Sequence, residues 1–161
     1  MDVQDLVPDD ERIRLIHLEG NISIGDKRNF GCERAAGEVI AHWDDDDHSG
    51  PGRLADQLGR LEESGRAVTG YHSMKFTDGE RWWKYGGTLN YALGTSLVYR
   101  RDWWSRNRFR SVDIGEDNQF VAMAHAAGEL TTVDAGDLMH ASIHRGNTSH
   151  KNNKGSAWRA I

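Results

Sequence analysis

Apolar residues in this chain come in short runs whose period changes along its length. Residues 2–11 are polar, and Pro8-Asp9-Asp10 reads as a turn. Ile13, Leu15 and His17 then alternate with Arg14, Ile16 and Leu18, a pattern that predicts a mostly buried strand over 13–18. Ser23 followed by Asp26 resembles a capping box, so a helix is expected from there to about Ala36, with Gly37 as its stop. Residues 39–43 form an apolar strand that runs directly into Asp44, Asp45, Asp46 and Asp47. Beyond Pro51, Leu54, Leu58 and Leu61 recur at helical spacing over 53–64, and Gly65 closes that helix.

The second half reads less regularly. A strand is predicted over 67–76, a turn at Thr77-Asp78-Gly79, an aromatic cluster at Trp82, Trp83 and Tyr85, and a short strand over 93–99. Residues 101–104 open a helix. Another follows Ile114-Gly115-Glu116-Asp117, with Phe120, Val121, Met123 and Ala124 on its apolar side. A strand over 130–133 precedes a histidine-rich tail. Strands and helices alternate early and mix later, which predicts a three-layer α/β domain around a mainly parallel sheet.

Composition narrows the functional classes. The 161 residues give room for one domain with a core rather than two, and they are read as a single domain. No apolar run approaches the ~20 residues of a membrane span, and residues 1–20 lack a signal-peptide layout. A cytoplasmic protein is the expectation, with peripheral contact at the inner membrane face left open. Cys32 stands alone, so neither an internal disulfide nor a cysteine-based zinc site can form. A formal net charge of −5 lacks the basic footprint of a nucleic-acid binder. Of eight histidines, His42, His48, His140, His144 and His150 lie near the acidic run or in the last quarter of the chain.

Four consecutive carboxylates at the end of a strand need a physical reason. Two unit charges ~4 Å apart repel by roughly 4 kcal/mol at an effective dielectric of about 20, a cost that a cation between them removes. Carboxylate oxygens suit Mg²⁺ or Mn²⁺, which complete their shells with substrate phosphates. Open α/β sheets bind ligands beyond the carboxyl ends of their strands, where this run lies. A solvated acidic loop is the plain alternative. A calcium loop is another, since Asp45, Asp47, Ser49, Gly50 and Asp56 fall at EF-hand positions 1, 3, 5, 6 and 12, although a strand precedes them and Asp56 replaces the usual Glu. Lys27 and Arg28 open the preceding helix, whose N-terminus would suit phosphate.

The order Ser23-Ile24-Gly25-Asp26-Lys27-Arg28-Asn29, then Ala36-Gly37-Glu38, an apolar strand, the aspartates, Pro51 and Arg53-Leu54 resembles family 2 glycosyltransferases of the GT-A fold. The resemblance implies a nucleotide-diphospho-sugar transferase-like domain whose acid run is the DxD motif. Asp46 would be the principal metal ligand, with Asp44 and Asp45 beside it touching metal, diphosphate and ribose, and Arg28 and Lys27 would meet donor phosphate. His48 departs from the aromatic residue common at its position. Gly94 to Arg101, followed by Glu116-Asp117, also resembles the family. There Asp117 would be the general base toward the acceptor hydroxyl and Glu116 would orient the acceptor; read alone, the pair could simply favour a helix N-terminus.

His144-Arg145-Gly146-Asn147-Thr148-Ser149 resembles the family's tail, which implies that His144 completes the metal shell. His140 and His150 are expected to be solvated, and Trp82, Trp83, Trp103 and Trp104 to pack in the core, stacking of the Trp82-Trp83-Tyr85 cluster on a sugar ring being the alternative. The resemblance leads to the expectation that the family's first strand-helix-strand unit is lacking. The expected activity is metal-dependent, inverting transfer of a sugar from a nucleotide-diphosphate donor to a saccharide, lipid or protein hydroxyl, with Mn²⁺ or Mg²⁺ as cofactor. A homodimer or partner chain would complete the sheet. The alternatives are a non-catalytic module of the same fold and a metal-dependent hydrolase.

Overall fold

The computed structural model describes residues 3–147 and 155–161. After a 3-10 turn at Val3–Leu6 come helix α1 (Ile24–Arg34), strands β1 (Val39–Ala41) and β2 (His48–Ser49), and helix α2 (Arg53–Ser64). Strands β3 (Val68–Thr77) and β4 (Trp82–Gly86) follow, then a 3-10 turn at Gly94–Ser96, strand β5 (Val98–Arg100), and helices α3 (Arg101–Arg106) and α4 (Glu116–Ala126). Strands β6 (Leu130–Asp134), β7 (Met139–Ser142) and β8 (Trp158–Ala160) complete the order.

The α/β class is as expected, and the sheet is mixed. Long β3 is its centre: it pairs antiparallel with β5 through its first residues and with β4 through its last, and parallel with β6 and β7. β1 joins β5 antiparallel, β2 joins β7 and β8 joins β4 in the same sense. The parallel component therefore sits on β3 alone, a smaller share than the alternating pattern suggested. Two apolar clusters flank it. One gathers Val68, Leu97, Tyr99, Trp103, Trp104, Phe109 and Phe120; the other gathers Tyr71, Met74, Phe76, Met139 and Ala141, with Tyr85 and Trp158 against it.

Helix α1 begins where the capping pattern placed it, with the Ser23 hydroxyl accepting the Asp26 amide at 3.1 Å. It ends at Arg34 with an extended Ala35 as cap, so Gly37 is not its stop. The helix has a weak apolar face and is fastened by Asn29 instead, whose side chain bonds both the amide and the carbonyl of Phe109.

Helix α2 has the expected limits and ends on Gly65 at φ +65°, but it turns a different face inward. Leu54 and Leu58 are 42% and 38% exposed, whereas Arg53 and Gln57 are wholly buried beside Leu61. The main-chain carbonyls of His42, Thr95 and Ser96 lie under this face and need donors, which leucines cannot supply.

Two further expectations change. Residues 13–18 pair with no strand among the described residues, and Ile13, Leu15 and Ile16 are exposed. Alternation alone cannot make a strand without a neighbour to accept its hydrogen bonds. The segment 93–99 opens as a 3-10 turn because Ser96 Oγ donates to the Leu93 carbonyl and accepts the Tyr71 amide. Trp103 and Trp104 are core residues as expected, while Trp82 is partly exposed against His140.

Candidate active site

The acidic run follows β1 with two residues between, and both are anchored from below. His42 donates its amide to the Leu97 carbonyl at 2.8 Å, and its own carbonyl accepts Arg53 Nη2 at 2.8 Å. Its buried ring lies 2.8 Å from the Gly94 carbonyl through Nδ1 and 3.0 Å from the Tyr99 hydroxyl through Nε2. A carbonyl can only accept, so the Gly94 contact calls for a proton on Nδ1 with Nε2 accepting from Tyr99, while Arg28 Nη1, which can only donate, crowds the same ring edge beside Nδ1 and 3.3 Å from Nε2. Burial, then the neighbouring Arg28, hold this imidazole well below its usual pKa, so it is neutral.

Arg53 adds bonds to Thr95 O (3.1 Å), Ser49 Oγ (2.8 Å) and Gln57 Oε1 (3.0 Å), and its guanidinium lies over the Trp43 ring. Burial lowers its pKa, though not to a range where an arginine would lose its proton. One side chain thus ties together the start of the acidic loop, its exit and the 3-10 turn that faces it.

Within the loop the four aspartates separate. Oxygens of Asp44, Asp46 and Asp47 come within 4.8 Å of one another, while Asp45 is exposed and stands outside that group. Three hard carboxylate donors at this spacing fit a divalent cation of the Mg²⁺ or Mn²⁺ kind. Asp47 is also a tether: one oxygen accepts the Thr95 hydroxyl at 2.5 Å and the other the Ser142 amide at 3.0 Å. Its burial pushes its pKa up despite these bonds. The EF-hand alternative fails on geometry, because Asp56 is bonded to Arg60 and Tyr71 rather than to the loop.

His144 reaches Asp46 from the turn after β7, with Nε2 at 2.8 Å from Oδ2, and Asn147 Nδ2 joins the same oxygen at 3.2 Å. The Gly146 amide donates to His144 Nδ1 at 3.0 Å, so Nε2 bears the proton. In this arrangement His144 orients Asp46; ligation of a metal through Nε2 would require the other tautomer. Thr148, Ser149 and His150 lie outside the described residues.

The opposite wall is the start of α4, where Gly115 at φ +81° turns the chain so that Glu116 and Asp117 face the cleft. Glu116 is buried, its Oε1 3.0 Å from Arg28 Nε, a charge contact without hydrogen-bond alignment. Burial, then neighbouring Asp117, raise the Glu116 pKa, while Arg28 opposes them. The Asp117 carboxylate lies against the Cα of Gly94; a Cβ there would sit 2.0 Å from its Oδ2.

A cleft of about 720 Å³ joins the two walls and is lined by all four aspartates, Arg28, Glu116, Asp117, His144 and Tyr91. A second hollow of about 690 Å³, between the end of α1 and α3, mixes Arg100, Arg101 and Arg108 with Glu33, Glu38 and Asp102 and includes none of these groups.

The expectation of an open, phosphate-ready N-terminus on α1 is not met. The Ile24 amide donates to Asp113, Gly25 to the Val112 carbonyl and Asp26 to Ser23, which leaves no free donor in the first turn before Lys27, itself bonded to the Ser23 carbonyl. Lys27 lies outside the main cleft; Arg28 lines it. Arg53, Thr95, Tyr91 and the ring of His42 were not singled out from sequence. The position of His42 beside the aspartates, and the places of Arg53 and Thr95 within the segments that resemble the family, were the only hints of a part in this site.

No curated protein matches this sequence. Among solved structures, TarS of S. aureus (residues 1–349) in complex with UDP-GlcNAc superposes with a TM-score of 0.64 at 20% identity, over 81% of this chain and 42% of that one. The same protein in complex with UDP gives 0.59 at 19% identity, over 75% and 40%. A further structure of S. aureus TarS gives 0.60 at 20% identity, over 78% and 25%. The chain thus spans less than half the length of these structures, and the likeness is one of fold. The family model described as glycosyl transferase family 2 matches residues 2–130, which include the acidic loop, Arg53, Gly94 and the Glu116-Asp117 pair but not His144. With the greater part of its length matched, the chain belongs to glycosyl transferase family 2.

Proposed function

We propose that this chain carries the catalytic cleft of a metal-dependent, inverting glycosyltransferase that moves a sugar from a nucleotide-diphosphate donor to a hydroxyl acceptor. The observation that carries this reading is the convergence of two acidic groups with different surroundings on one cleft: Asp44, Asp46 and Asp47 on one wall, Glu116 and Asp117 on the other. The TarS structures contain UDP-GlcNAc and UDP, which makes a UDP-sugar the first donor to test.

Asp44 and Asp46 would hold a divalent cation, with Asp47 fixing the loop from within and Asp45 left to the ribose side of the donor. Such a cation supplies Lewis-acid stabilisation of the charge on a leaving diphosphate. His144 and Asn147 keep the Asp46 carboxylate turned toward the cluster. Asp117 is the general base that takes the acceptor proton, since a sugar hydroxyl is a weak nucleophile until deprotonated. Glu116 holds Arg28 at the cleft floor, where its guanidinium can meet a phosphate or an acceptor group. One base acting in a direct displacement gives inversion at the anomeric carbon.

The test is a calorimetric titration of UDP and UDP-GlcNAc with and without Mn²⁺, paired with transfer or hydrolysis assays of wild type and Asp117→Asn. Manganese-dependent binding that survives Asp117→Asn, with turnover lost, is the expected result. Wild-type turnover in that variant would overturn the role of Asp117, and no nucleotide binding at any metal concentration would overturn the whole reading.

A further inference from the structure

We propose that His42 is a positioning residue for Asp117, acting through the peptide of Gly94. This rests on Asp117 as the base, but its structural content can be tested without that reading. Asp117 has two supports: its Oδ1 accepts the Asn118 amide at 2.8 Å, and its side chain lies close against the Cα of Gly94. The second support fixes the rotamer, and it exists only because position 94 has no Cβ. Where the Gly94 peptide sits therefore decides where the carboxylate can sit.

The Gly94 carbonyl is held chiefly by His42 Nδ1 at 2.8 Å, its other partner being the Leu97 amide at 3.3 Å. His42 is in turn locked at every polar group. Its amide, its carbonyl and Nε2 are bound to Leu97, Arg53 and Tyr99, and Tyr99 lies 3.2 Å from Cys32 Sγ, which closes a buried series of donors and acceptors. Arg28, the partner of Glu116, packs against the same ring. A residue adjoining the metal-side loop thus seats both acids on the opposite wall, one through a glycine and one through an arginine.

A core histidine that merely fills space makes a different prediction from one that places Gly94. Asparagine puts its Nδ2–H where Nδ1–H of histidine stands, and so can still donate to the Gly94 carbonyl. Glutamine is closer in volume but reaches toward the Nε2 position, at Tyr99.

The experiment compares His42→Asn, His42→Gln and Gly94→Ala. Crystal structures report the Asp117 rotamer, calorimetry with UDP and Mn²⁺ reports donor affinity, and UDP release from UDP-GlcNAc reports turnover. For His42→Gln and Gly94→Ala the Asp117 carboxylate should leave its place, and kcat should fall on the order of 10²-fold with UDP affinity unchanged, the size expected when a reacting group is misplaced by about 1 Å. For His42→Asn the rotamer and most of the turnover should remain. Glutamine equal to or better than asparagine, Asp117 unmoved in the His42→Gln crystal, or full turnover in Gly94→Ala would each overturn the proposal. If wild type itself releases no UDP, the proposed function fails instead, and the rotamers still decide this inference. If the His42 variants do not fold, Gly94→Ala decides it, because there the clash falls on the Asp117 side chain itself, from Oδ2 at 2.0 Å to Cβ at 2.9 Å.

Discussion

Replacing Arg53 by methionine tests whether hydrogen-bond demand, and not apolar burial, holds α2 against the acidic loop. Methionine matches the length of the stem and removes four donor contacts. Ser49 and Gln57 can find other partners, but the carbonyls of His42 and Thr95 lose theirs, at roughly 1–3 kcal/mol for each carbonyl left unpaired. The opposing term is relief from keeping a guanidinium out of water, the burial that lowers the Arg53 pKa. Together these set the expected loss at about 3 kcal/mol, which for a chain of this size lowers Tm by roughly 6–12 °C. Arg53→Lys keeps the charge but not the planar fork that spans His42, Thr95 and Ser49, so it should recover only part of the loss. Urea unfolding of the three proteins measures the free energies, and manganese EPR reports whether the loop still gathers its carboxylates. A methionine variant within ~0.5 kcal/mol of wild type, the range of an unremarkable surface change, would refute the reasoning. So would a lysine variant equal to wild type, since charge alone would then suffice.

Other outcomes follow from single contacts. Gly31→Ala and Gly59→Ala meet open space on α1 and α2 and should each stabilise the fold by up to about 1 kcal/mol in thermal unfolding, whereas Gly25→Ala would place a Cβ 1.7 Å from the Arg110 carbonyl and should destabilise it. Glu116 has a raised pKa in the folded state, so the folded chain holds this proton more tightly than the unfolded one. Its contribution is fully present below the unfolded pKa and is lost as pH rises through the folded value. Glu116→Gln should therefore gain stability relative to wild type as pH is raised across that window, and a flat difference in urea unfolding would contradict the shift. Asp47→Ala removes the acceptor of both the Thr95 hydroxyl and the Ser142 amide. It should cost about 1–2 kcal/mol and speed hydrogen exchange at the Ser142 amide.

What could be read from sequence was local. The limits of α2, the capping serine of α1 and the turn into α4 are set by residues within a few positions of each other, and each appears where expected. Strands β2, β7 and β8 have two, four and three residues, too few to show a period, and they exist through partners far along the chain. The spacing of Leu54, Leu58 and Leu61 marked α2 as a helix, but of the three only Leu61 is buried, for a nonlocal reason. Which face of a helix is buried depends on what lies beneath it, and beneath α2 lie carbonyls from residues 42, 95 and 96.

The same limit applies with more force to the acidic run. Its place after β1 marks it as a candidate ligand site, but four identical side chains in succession carry no signal that ranks them. The chain turns through them, with the Asp47 amide returning toward the Asp44 carbonyl at 3.4 Å, so neighbouring carboxylates diverge and meet different partners. Thr95 and Ser142 take Asp47 from two sides, His144 and Asn147 take Asp46, and Asp45 is left to solvent. Each of those partners is at least 48 residues away. A run of four acids is thus an ambiguous motif made specific by tertiary structure. Exchanging Asp45 for asparagine should cost far less metal affinity than the same change at Asp46, a difference that manganese EPR can measure and that equal losses at both positions would disprove.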